Sequence, residues 1–173
     1  MDTKVYKDVN LSAYKKLPKG IRNNNPLNIR RGKNPWVGEV TAMRLHRNEE
    51  VESDTLMFDT SFCQFKSMEL GFRAAARLLQ RYQYTYKLNT IRLIISRWAP
   101  SNENNTEAYI SKVASLMHRG ADEPLNLQKH IDLANLIWAM CAVECGKYNP
   151  YVDEYIMDAW LEASRMLKAE GAL

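Results

Sequence analysis

From Ser67 to the C-terminus, the apolar residues of this 173-residue chain recur every three or four positions, the period of helices with one buried face. Phe72, Ala75, Ala76, Leu79, Tyr82 and Tyr86 mark a first helix, with Ser67 as its N-cap and Glu69 in its first turn. Ile91, Ile94, Ile95 and Trp98 mark a second, capped by Asn89 and stopped by Pro100. A third carries Tyr109, Ile110, Val113, Leu116 and Met117, opened by Asn105 or Thr106 and ended by Gly120. The fourth runs from Asn126 to Gly146 with Leu127, Ile131, Ala134, Trp138 and Cys141 inward. Pro150 starts a fifth, whose inner face is Ile156, Trp160, Ala163 and Leu167. The Trp and Met residues on these faces are expected to fill the core.

Before Ser67 the pattern is different. Gly32, Pro35 and Gly38 break the chain into turns, and short apolar pieces such as Val37 to Val40 and Leu56 to Phe58 suggest a small antiparallel sheet or hairpin. Arg47 to Asp54 is polar enough to be its connection. The expected fold is therefore α+β and mostly helical, a small N-terminal β element plus about five helices. Residues 1–19 read as a basic arm and 20–173 as a single domain, long enough to bury a core without disulfide or metal.

Charge is uneven. Residues 1–34 hold nine Lys or Arg against two Asp, and residues 121–173 hold four against nine Asp or Glu. A basic arm of this kind steers a protein weakly toward anionic polymers. No apolar run is long enough to span a membrane, and the N-terminus lacks the apolar stretch of a signal peptide. Cys63, Cys141 and Cys145 form no metal-like constellation and are expected to be small apolar fillers. His46, His118 and His130 lie far apart, so neither metal nor other cofactor is expected. No phosphate loop, nucleophile elbow or nucleic-acid reading module occurs, which disfavours nucleic acid as a partner.

The chemistry concentrates in Gly20 to Arg30, followed by Trp36-Val37-Gly38. Asn23, Asn24, Asn25 and Asn28 fall within eleven residues, and Asn side chains compete with the backbone bonds of helices and strands. Pro26 pushes Asn25 into an extended conformation. One reading is a capped turn whose amides satisfy their own backbone. The other is a sugar-binding cleft, in which Asn24, Asn25, Asn28 and Arg30 bond hydroxyl and N-acetyl groups beside the face of Trp36.

This segment resembles the Arg-Asn-Asn-Asn-Pro-Gly-Asn-Ile-Arg signature of a family of phage and prophage proteins described as virion-associated or lysozyme-like. Further matches follow in order: Trp36-x-Gly38, Asp59-x-x-Phe62-x-x-Phe65-x-Ser67, Gly71-Phe72-Arg73-Ala74, Asn89-Thr90-Ile91, Arg97-Trp98-Ala99-Pro100, Glu103-Asn104-Asn105-Thr106-x-x-Tyr109-Ile110, Glu144-Cys145-Gly146 and Pro150-Tyr151. The Asn block, Trp-x-Gly and Phe-x-x-Phe-x-Ser are also similar to the glucosaminidase branch of the lysozyme superfamily. The resemblance implies a lysozyme-like fold and action on peptidoglycan. Leu27 stands where the family carries Gly, and Cys145 where it carries Asn.

Glycoside cleavage needs a carboxylic acid that keeps its proton near neutrality, usually with a second carboxylate nearby. Glu144 suits the first role, in the last turn of a helix among Ala142, Val143 and Cys145. It could equally be a solvated helix-end glutamate, or pair with Lys147 or an arginine. Asp59 is the candidate second carboxylate, or else a turn-forming Asx residue. Glu39 is a third carboxylate, without support from the resemblance. Glu103 sits in a second amide-rich loop that could face the first, with Tyr109 as a stacking platform and Tyr151 in the loop after Glu144.

The expected function is a phage-type, peptidoglycan-active glycosidase that cleaves the glycan strand as a muramidase, glucosaminidase or transglycosylase. Its partners would be peptidoglycan glycan strands and other virion proteins. It would be made in the cytoplasm and would reach the wall through lysis, a holin or the virion. The alternative is a non-catalytic virion structural or cell-wall-binding protein.

Overall fold

A computed structural model describes residues 15–41, 58–101 and 105–173. The helices of this part are α1 (Lys19–Arg22), α2 (Met68–Tyr86), α3 (Ile91–Trp98), α4 (Thr106–Met117), α5 (His130–Cys145) and α6 (Glu154–Ala169). The five helices read from the sequence after Ser67 are all present, and their ends follow local chemistry. Thr90, one residue beyond Asn89, caps α3 by accepting the Leu93 N–H at 3.2 Å. Asn105 caps α4 through the Ala108 N–H at 3.1 Å, and α4 closes on His118 in the left-handed region (φ 50°), before Gly120 is reached. Asn126 turns its side chain onto the Gln128 N–H, so α5 waits until His130. Asp153, not Pro150, opens α6 by accepting the Ile156 N–H.

Helix α5 is the centre of the molecule. Leu133, Leu136, Ile137, Ala139, Met140 and Cys141 are buried on several of its faces, as expected of a helix surrounded by others. It packs on α4, and α4 packs on α3. On the other side α2 and α6 lie together, with Phe72 and Trp160 edge to face at 5.9 Å between ring centroids. Ile131, read as inward, is 61% exposed; with α5 starting at His130, its first buried residue is Leu133. Cys63, Cys141 and Cys145 are buried free thiols.

The expected N-terminal β element is not found: the described residues contain helices and no strand. Only isolated bridges occur there, Arg30 with Phe62 and Glu39 with Phe65. Two segments do run beside each other, with Cys63 N–H donating to the Ile29 carbonyl and Val40 N–H to the Gln64 carbonyl. The ladder stops because side chains take the neighbouring backbone groups. Asn25 Nδ2 donates to the carbonyls of Ile29 and Cys63, both at 2.9 Å, and its Oδ1 accepts the Ile29 N–H at 2.8 Å. Asn24 Nδ2 donates to the Phe65 carbonyl. Asn-rich sequence thus yields a cross-linked loop layer instead of a sheet. The Arg47–Asp54 connection and Leu56 lie outside the described residues.

The loop layer rests directly on α2 at Gly71. A Cβ there would collide with the Asn24 carbonyl and lie 3.0 Å from Pro26 Cδ. Leu27 is fully buried and adopts no positive φ, so the branched side chain at this position serves as core; Asn24 (φ 49°) and Asn28 (φ 52°) make the left-handed bends on either side of it. Gly71→Ala is expected to cost about 3 kcal/mol of stability by forcing backbone and helix apart. Urea denaturation followed by circular dichroism measures it.

Candidate functional site

Glu144 sits in the last turn of α5, one residue before the buried Cys145, and its carboxylate turns back toward the loop layer. Asn28 Nδ2 donates to Glu144 Oε2 at 2.7 Å, across 116 residues of chain. The Tyr109 hydroxyl, from α4, donates to Oε1 at 2.9 Å. Cys145 Sγ donates to the Pro26 carbonyl at 3.3 Å, which holds the same loop against the same helix end. Gly20 lets the pieces close, since a Cβ there would stand 2.8 Å from Cys145 Sγ and 2.9 Å from the Asn25 carbonyl.

Burial pushes the Glu144 carboxyl above its ordinary range, while the bonds from Asn28 and Tyr109 pull it back in part. Tyr109 is nearly inaccessible, and burial followed by the negative charge of Glu144 holds its hydroxyl well above the usual tyrosine range. It therefore stays a donor. Asn28 Oδ1 is buried without a hydrogen-bond partner. A protonated Glu144 could use it if the amide turned over, so this pair can serve both protonation states.

Glu144 opens onto a cleft of about 420 Å³. The loop layer contributes Asn28, Arg30 and Phe62 to its wall, while α2 and α3 contribute Tyr82, Arg97 and Trp98. The Trp98 indole N–H donates to the Leu27 carbonyl at 3.2 Å, joining the two sides. A wall of aromatic rings with a few polar groups and one half-buried acid suits a sugar chain, whose rings stack while its hydroxyls bond.

Of the residues singled out from sequence, Asn28, Arg30 and Glu144 line this cleft and Tyr109 stands behind Glu144. Asn24, Asn25, Asp59, Trp36 and Tyr151 are not part of its wall. Asn24 and Asn25 direct their amides into the loop layer as described. Asp59 Oδ1 accepts the N–H groups of Ser61 and Phe62, both at 2.9 Å, and Oδ2 accepts Asn23 Nδ2 at 3.1 Å. Burial raises the Asp59 carboxyl, but these bonds outweigh it and hold the group below its usual range. Trp36 packs half-buried on the core while its backbone N–H donates to Glu39 Oε2. Glu39 is buried, with Arg31 Nη1 at 2.6 Å from its Oε1, and braces the turn. Tyr151 is 41% exposed and meets Trp138 edge to face at 5.5 Å. Glu103 lies outside the described residues.

Sequence reasoning missed Tyr82 and Arg97 and treated Trp98 as core alone. The usable signal was Arg97-Trp98 directly before the helix-stopping Pro100: a ring that packs inward at a helix end brings its charged neighbour to the rim. Among the described residues no cluster of three or more His, Cys, Asp or Glu could hold a metal ion, and no helix is long and apolar enough to cross a membrane.

Two stability measurements follow. Glu144 holds its proton more tightly folded than unfolded, so its contribution is complete below the ordinary value of 4.5 and is lost as pH rises through the raised folded value. Glu144→Gln should therefore melt above the native chain at about pH 8, with the gap closing toward about pH 4. Asp59 has the opposite sign: its contribution is present above 3.8 and lost as pH falls through the lowered folded value. Asp59→Ala should cost about 1 kcal/mol at neutral pH, as loss of a capping carboxylate does. Thermal melts across a pH series check both.

No family model matches this chain. It is similar to Protein P5 of Pseudoalteromonas phage PM2, with 38% identity over 141 residues that cover 80% of this chain and 77% of the phage protein.

Proposed function

We propose that this chain, which belongs to the family of Protein P5 of phage PM2, is a peptidoglycan-active glycosidase with Glu144 as its general acid. The observation that carries this reading is the half-buried Glu144 carboxyl in the wall of an aromatic cleft, with its pKa raised by burial and both oxygens oriented by neutral donors. An acid that protonates a glycosidic oxygen must hold its proton and be aimed, and burial shifts Glu144 toward the first condition. The bonds from Asn28 and Tyr109 supply the second. Phe62, Tyr82 and Trp98 provide apolar faces for sugar rings. The motif resemblance to virion-associated lysozyme-like proteins and the phage relative both agree with a protein that meets a bacterial wall.

A second reading has an observation of its own. Asp59 is engaged in its own turn, so it does not stand beside Glu144 in the cleft wall. A virion component that binds the glycan without cutting it would need no second carboxylate.

Incubation of wild type and Glu144→Gln with purified sacculi, followed by mass spectrometry of released fragments, separates the two. The expected outcome is release by wild type and a loss of at least about a thousandfold in the mutant. Pelleting of both proteins on sacculi without release would establish the binding protein instead.

A further inference from the structure

The wall of the cleft does not end at its rim. Tyr82 on α2 and Arg97 on α3 belong to that wall. One turn further along α2 comes Tyr86, and one turn before Arg97 on α3 comes Leu93. Only Lys87 to Thr90 join the two helices, so both steps lead the same way, toward that short connection. Tyr86 is 42% exposed and Leu93 44%. Residues four apart share one side of a helix, so the pair carries the wall outward by about 5.4 Å on each helix. One exposed apolar side chain means little, but two that continue the same cleft wall make a surface.

Tyr86 is held in place by its neighbours. Its ring meets that of Tyr82 edge to face at 6.3 Å, and Tyr82 meets Trp98 in the cleft at 5.9 Å. The Arg97 guanidinium stands 3.9 Å from the Tyr86 centroid and 5.1 Å from that of Tyr82, so it bridges both rings. A ring restrained in this way and partly open to solvent offers a ligand apolar area at small entropic cost, with a hydroxyl at its edge. Sugar rings suit such a surface, because their C–H faces are bordered by hydroxyls. Tyr84 is more exposed still, at 76%, but it is two residues from either ring and therefore on another side of α2, beneath Lys87.

We propose that Tyr86 and Leu93 form an outer sugar subsite that holds the glycan strand where it leaves the cleft, so that the ligand is a strand longer than the cleft and not a disaccharide fragment. The inference rests on the glycan reading of the cleft, and it concerns binding, not cleavage. The occupant follows from continuity: a strand seated beside Glu144 has to leave the cleft, and toward the α2–α3 connection the apolar wall goes on. Fragments too short to reach Tyr86 lose that contact and dissociate faster than the intact strand.

Affinity measured on the Glu144→Gln protein, which leaves the ligand uncut, tests this directly. The probes are glycan strands from purified sacculi, freed of peptide and sorted into disaccharides, tetrasaccharides and octasaccharides. Octasaccharides should bind about tenfold or more tightly than disaccharides. Adding Tyr86→Ala should shrink that ratio about fivefold, and adding Leu93→Ser about twofold. Both positions are exposed, so these variants are expected to fold. The ratio is the readout because a loosened Arg97 would weaken short and long strands alike and leave the ratio where it was. Tyr84→Ala, off this face, should not change it. Equal affinity for short and long strands overturns the proposal, as does a ratio unchanged in both Tyr86→Ala and Leu93→Ser or reduced as much by Tyr84→Ala. Absence of binding at every length overturns the glycan reading and the subsite with it. Absence of fragment release by wild type overturns the glycosidase alone and leaves these binding results standing, so the failures are distinguishable.

Discussion

The side chain of Asn25 is the constraint on which the site depends. It is fully buried and binds three backbone groups, the Ile29 N–H and the carbonyls of Ile29 and Cys63. A buried peptide group left without a partner costs about 1–3 kcal/mol, and this one amide partners the Ile29 N–H and the Cys63 carbonyl while sharing the Ile29 carbonyl with the Cys63 N–H. With Asn25 in place, the chain from Asn23 to Ile29 becomes a rigid layer. Asn24 and Asn28 supply its two left-handed bends, and Gly71 lets it sit on α2 without a gap. Trp98, Cys145 and Glu144 then have fixed atoms to bond.

Rigidity of the loop has an electrostatic consequence at Glu144. A carboxyl at the end of a buried helix is pushed toward its neutral form by lost solvation and by the helix dipole. Charged partners would reverse that and leave an ordinary ionised glutamate. The structure provides Asn28 and Tyr109 instead, neutral donors that orient the group and offset only part of the effect of burial.

The helices were legible because a buried face leaves a period in the sequence that no local detail can hide. Their boundaries were less so. Asn126 and Pro150 both look like helix starts, yet each is used in a turn, and the caps fall to Lys129 and Asp153. The β element failed for a clearer reason. Short apolar pieces between turns suggest strands when backbone groups are assumed to pair with each other, and here Asn24 and Asn25 took part of that pairing. Within the Asn loop the amides of Asn24 and Asn25 serve the backbone, that of Asn23 bonds the Asp59 and Gln64 side chains, and Asn28 alone reaches the cleft. Asp59 carried two roles that its sequence neighbours could not separate; only the N–H groups of Ser61 and Phe62, aimed at its Oδ1, define what it does in the fold.

Arg97 shows why the cleft wall was harder to read than the acid. Glu144 announces itself through apolar neighbours and a helix end, features that are local in sequence. The arginine gains its place from Tyr82 and Tyr86, one and two turns along a different helix, and from Trp98 anchoring α3 to the Leu27 carbonyl. None of these relations has a sequence period. They exist because α2, α3 and the Asn layer converge, and convergence is decided by Gly71 and Leu27, residues with no polar chemistry of their own. The packing residues therefore select which charges face the groove, and the polar residues act only within that selection.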